Sequence, residues 1–88
     1  MHLQWTDYDP NTGERRFIRA ERFAGKWTFA QRATRRGIWE AIPEPEKQLW
    51  IDLLESLERR LSRKEGIELA DVAMVKRLLD NWKDPPEV

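Results

Sequence analysis

Eighty-eight residues make one small domain, and a chain of this length buries only about 60 to 65% of its unfolded surface, so each large side chain weighs heavily on stability. The chain has five Trp and no Cys, which excludes a disulfide framework and a thiolate zinc site and leaves packing to hold the fold. Net charge is zero, yet residues 1–42 carry eight Lys or Arg against five Asp or Glu (+3), and residues 43–88 carry eight against eleven (−3). The N-terminus has no basic segment followed by an apolar run, and no apolar stretch reaches bilayer length; the expected setting is soluble and cytoplasmic, without a membrane partner.

Residues 3–8 read as a first strand. Asp9-Pro10-Asn11-Thr12-Gly13 then forms a turn: Pro10 presets φ, the Asp9 side chain accepts from the backbone beyond it, and Gly13 supplies a left-handed residue. Asp7, Asp9 and Asn11 match the first ligands of a calcium-binding EF-hand loop. Thr12 stands where that loop needs Gly and Ile18 where it needs a bidentate Glu, so no metal is assigned.

Residues 14–23 form the second strand, Ala24-Gly25-Lys26 a tight connection, 27–33 the third strand, 34–37 a turn and 38–42 the fourth. Strand side chains alternate between faces, so the loop lengths decide which residues share a side. The simplest registers pair Trp5 with Phe17, Phe23 with Trp27, and Phe29 with Ala41. They collect Leu3, Trp5, Phe17, Phe23, Trp27, Phe29, Trp39 and Ala41 on an inward face, with Arg19 and Gln31 as polar exceptions that reach toward the rim. Tyr8, Arg16, Arg22 and Arg32 fall on the outward face, with Arg35 and Arg36 in the adjoining turn. A slip of one residue in any turn exchanges the two sets for that strand.

Pro43 and Pro45 end the sheet, and Pro45 is placed to open a first helix over 45–64. Leu49, Trp50, Leu53, Leu54, Leu57 and Leu61 make its apolar stripe. Glu55 and Arg59 are spaced for an i, i+4 pair, cations occupy the last turns, and Gly66 is the stop. A second helix over 68–83 has Leu69, Val72, Val75, Leu78, Leu79 and Trp82 as its stripe and no good capping residue upstream of Asp71. Residues 84–88 form a short extended tail. The fold class is α+β: an N-terminal antiparallel meander of three or four strands (1–42), with two C-terminal helices packed on one face.

Catalytic chemistry is thin. His2 is the single His, Ser56 and Ser62 have no His near in sequence, and no phosphate-binding loop, dinucleotide fingerprint or His-Glu-x-x-His pattern occurs. No enzyme activity and no cofactor are expected. Two surfaces remain. Tyr8, Arg16, Arg22, Arg32, Arg35 and Arg36 suit phosphate binding with aromatic stacking. Ile51, Ala70, Ala73 and Met74 lie off the helical stripes and suit close approach by another helix, from a second copy or another protein.

Gly25-Lys26-Trp27, then Arg32, Arg35-Arg36-Gly37, Trp39 and a following helix resemble the three-stranded DNA-binding sheets of plant ethylene-response factors and of some phage integrase arm-binding domains. The resemblance implies Arg and Trp on an exposed sheet face that reads DNA, whereas the registers above turn Trp27 and Trp39 inward. The expected function is a small non-catalytic module that binds a protein partner, with sheet-mediated nucleic-acid binding as the alternative.

Overall fold

The loop between the first two strands sets the geometry of everything after it. The Asp9 carboxylate Oδ1 accepts the Asn11 N–H at 2.8 Å, and the Gly13 N–H donates to the Asp9 carbonyl at 2.7 Å. Gly13 takes φ +73°, a left-handed value that costs an L side chain free energy. Asp9 and Gly13 thus do what their chemistry predicts. One further bond, from the Asp9 N–H to the Glu14 carbonyl at 2.8 Å, makes Glu14, not Gly13, the residue opposite Asp9. The left-handed glycine is held inside the loop as an extra residue, and the register moves by one.

A computed structural model of the chain describes residues 2–23, 25–63 and 67–83. The expectations for Ala24, for the helix end at Lys64 and Gly66, and for the tail 84–88 lie outside the described residues. The chain is α+β, with a four-stranded antiparallel sheet followed by two helices. The strands are β1 (His2–Tyr8), β2 (Arg15–Phe23), β3 (Lys26–Arg32) and β4 (Glu40–Ile42), in the order β1-β2-β3-β4. The helices are α1 (Lys47–Ser62) and α2 (Leu69–Asp80). Two compact units result, Met1–Pro45 and Glu46–Val88.

All three predicted registers are off by one. Trp5 faces Ile18 instead of Phe17, Trp27 faces Arg22 instead of Phe23, and Phe29 faces Ile42 instead of Ala41. In the second hairpin Phe23 lies opposite Lys26, so Lys26 belongs to the strand and the connection is one residue shorter than expected; Gly25 takes φ +77° there. The first two shifts cancel between β1 and β3. Leu3, Trp5, Trp27 and Phe29 therefore share a face as predicted, while β2 and β4 are turned over. The shared face carries Ile18 and Ala20 from β2 and Ile42 from β4; Phe17, Phe23 and Ala41 lie on the other side.

Burial follows the corrected registers. Leu3, Ile18, Ala20, Trp27 and Phe29 are buried. Trp5 meets Phe29 edge to face, with centroids 6.3 Å apart and rings inclined at 81°, a favoured quadrupolar arrangement. The small Ala20, directly opposite Phe29, leaves room for rings reaching across β2.

In the helical unit, α1 buries Leu49, Leu53 and Leu57, three members of the predicted stripe at i, i+4 and i+8. Glu46 is its N-cap, so Pro45 precedes the cap instead of opening the helix. Arg59 reaches Ser56 Oγ, with Nη2 at 3.5 Å, in place of the anticipated Glu55 partner. In α2, Val72 and Val75 are buried as predicted, whereas Leu69, the first helical residue, is 74% exposed. The missing cap is Glu68: its N–H donates to Asp71 Oδ2 at 3.2 Å and its carbonyl accepts the Asp71 N–H at 3.0 Å. Asp71 serves as the N3 partner in a capping-box arrangement and is buried in doing so.

Candidate functional site

The register correction redistributes the charged side chains of the sheet. Residues directly opposite one another share a face, so the outward face carries Tyr8 from β1, Arg15, Phe17, Arg19, Glu21 and Phe23 from β2, and Lys26 and Arg32 from β3. Of the predicted set, Tyr8 and Arg32 are on this face, and Arg35 and Arg36 are exposed in the β3–β4 loop at its Arg32 end. Arg16 and Arg22 are not; they lie on the face shared with Leu3 and Trp27.

Arg16 shows what that means chemically. It is 7% exposed, its Nε donates to Asp7 Oδ1 at 2.7 Å and its Nη2 to Asp7 Oδ2 at 3.2 Å, while Nη1 donates to Gln31 Oε1 at 2.9 Å. The guanidinium is consumed by a bidentate carboxylate and an amide, the satisfied arrangement a buried cation requires. Arg16 is a structural residue.

The outward arginines are held differently. The Arg19 guanidinium carbon lies 4.7 Å from the centroid of the Trp39 ring and that of Arg32 lies 4.4 Å from the same ring. Arg32 also lies 5.6 Å from the Phe17 centroid. These contacts put Trp39 on the outward side, correcting its inward assignment. They also follow from the register, since Arg32 is opposite Phe17 and Arg19 is one step along the same face. A guanidinium stacked on a ring engages its flat face and keeps in-plane N–H donors for an acceptor. Arg15, Arg19, Lys26 and Arg32 form no ion pair among the described residues, and Glu21 is the one carboxylate among the strand residues of this face.

Each strand aromatic of this face stands opposite a cation. Tyr8 pairs with Arg15, Phe17 with Arg32, and Phe23 with Lys26. Tyr8 and Phe23 are 70% and 82% exposed. Parity misplaced Phe17, Arg19, Phe23 and Trp39 and overlooked Arg15 and Lys26; for β2, the left-handed Gly13 was the signal that an extra loop residue had to be counted.

Near Arg32 the surface opens into a cavity of about 210 Å3, lined by Arg15, Arg16 and Arg32 together with Asp9, Glu14 and Glu40. Arg16 is already paired with Asp7, so Arg15 and Arg32 share this cavity with three carboxylates, and it offers an anion no excess of positive charge. Among the described residues no group of three His, Cys, Asp or Glu is arranged to hold a metal ion, and no helix is long and apolar enough to cross a membrane.

On the helices, Ala70, Ala73 and Met74 are exposed and Ile51 is half-buried. Leu69, Ala70, Ala73 and Met74 occupy one flank of α2 at i, i+1, i+4 and i+5, so the structure adds Leu69 to the predicted helical surface. No protein-family model, curated protein or solved structure matches the chain.

Proposed function

We propose that the chain is a non-catalytic nucleic-acid-binding module whose outward sheet face contacts the phosphate backbone. The observation that carries this reading is Arg19 and Arg32 stacked against Trp39 and forming no ion pair among the described residues. Such guanidiniums are held in place before binding, so less side-chain freedom is lost when they meet phosphate. Arg15, Lys26, Arg35 and Arg36 extend the positive surface, and neutralised phosphates release condensed counterions.

The test is a filter-binding titration of the full chain against nucleic acid across a salt series. The expected result is affinity that falls steeply with salt, each phosphate contact contributing about 0.7 to 0.9 to the log–log slope. Absence of retention at low salt, or retention indifferent to salt, would overturn the reading.

A protein partner is the second reading, supported by Leu69, Ala70, Ala73 and Met74 exposed together on α2. A flank of small residues and Met admits a neighbouring helix. Light scattering over a concentration range tests its homodimer form; a monomer mass throughout would remove it.

A further inference from the structure

We infer that the nucleic acid is single-stranded and lies along β2, its bases stacking on Tyr8 and Phe23 at opposite ends of the outward face. This rests on the nucleic-acid reading above and specifies the ligand. The carrying observation is the repeated cross-strand couple of ring and cation: Tyr8 with Arg15, Phe17 with Arg32, Phe23 with Lys26. Directly opposed side chains stand about 5 Å apart, so each couple places a π-face beside a phosphate-binding group, the two contacts one nucleotide requires. Tyr8 and Phe23 of the outer couples are largely exposed, at 70% and 82%, where a flat base can reach them.

A duplex cannot use these rings in the same way. Its bases are stacked on one another, and their faces are accessible only at its ends, whereas a single strand can splay its bases onto aromatic side chains. Arg15 and Phe23, which mark the two ends, are the first and last residues of β2. Eight steps at about 3.4 Å separate them by about 27 Å. That length matches about eight nucleotides at stacked spacing, and fewer when the strand is extended. Between the ends run Arg19 and Arg32 with Trp39, and Glu21 is the sole opposing carboxylate among the strand residues of this face.

The deciding experiment is fluorescence anisotropy of the full chain with labelled oligothymidylate of 4, 8 and 12 nucleotides, and with a mixed-sequence duplex of matched phosphate number. Tyr8→Ala, Phe23→Ala and Tyr8→Phe are measured beside the unmodified chain, with circular dichroism confirming folding; exposed positions should tolerate all three. Single strands should bind about tenfold or more tighter than the duplex. Affinity should rise from 4 to 8 nucleotides and then level off. Each alanine should weaken single-strand binding about tenfold and leave duplex binding unchanged, and Tyr8→Phe should retain affinity. Duplex binding as tight as single-strand binding would overturn the inference and leave the basic face as a nucleic-acid surface, as would alanine variants that bind single strands like the unmodified chain. Failure of both probes at low salt would overturn the nucleic-acid reading itself. Binding of polyglutamate in place of either probe would overturn it too, in favour of an acidic protein partner.

Discussion

Asp7 and Arg16 face one another across the first hairpin, joined by two hydrogen bonds of 2.7 and 3.2 Å on the side of the sheet that also carries Leu3 and Ile18. The pair turns a cation of the sequence from a binding candidate into part of the fold. Asp7→Leu should therefore destabilise the protein by about 3 kcal/mol, because it removes the carboxylate partner of a buried guanidinium. Replacing both partners by apolar residues, Asp7→Leu with Arg16→Met, should cost clearly less than the sum of the two single losses. Urea unfolding of the four chains of this cycle measures the coupling. Strict additivity would show that the pair contributes nothing beyond its separate side chains.

The two central tryptophans should separate cleanly. Trp27 is 7% exposed, and Trp27→Ala should cost about 3 to 5 kcal/mol, a large fraction of the stability of so small a protein. Trp39 holds cation–π contacts on the outward face, and Trp39→Ala should cost about 1 kcal/mol. Thermal melts followed by circular dichroism give the comparison. Equal losses at the two positions would contradict the registers.

Gly13→Ala should lower stability by roughly 1 to 2 kcal/mol, the cost of a left-handed L residue. A Cβ at this position meets nothing within 4 Å, so the loss is conformational and not steric. Gly13→Asn should recover part of it, since Asn tolerates this region better. Chemical denaturation of the three chains checks the order Gly, Asn, Ala.

The division of arginines between faces predicts their effects on binding. On the nucleic-acid reading proposed above, Arg19→Ala and Arg32→Ala should each weaken binding and lower the salt slope by about 1. Arg22→Ala, on the opposite face, should leave the slope unchanged. Salt-series titrations of the three variants supply the slopes, and a loss on Arg22→Ala equal to that on Arg19→Ala would contradict the assignment of faces.

Much of the architecture was legible in the residues alone. The Asp9 turn, the left-handed Gly13, a meander of three or four strands before two helices, and the Leu49, Leu53 and Leu57 stripe all follow from local chemistry: Gly accepts φ that other residues resist, and apolar side chains recur with the helical period. Asp71 was recognised, but not its role with Glu68, because a glutamate is an unusual N-cap and the reciprocal bond depends on how the chain enters α2.

The sequence by itself determined which segments pair and where they turn. Only the tertiary structure decided which side of β2 and β4 faces which way. A strand side chain changes face with every residue, so one bond from the Asp9 N–H to the Glu14 carbonyl suffices to exchange Phe17 for Ile18 on the buried face. That exchange withdrew Arg16 from the outward surface and placed Arg19 there beside Arg32, and the separate shift between β3 and β4 brought Trp39 to the same side. Hydrophobicity could not foresee it, because β2 carries large apolar side chains at both parities, Phe17 and Phe23 on one and Ile18 on the other; loop closure and the partners available to Arg16 made the choice.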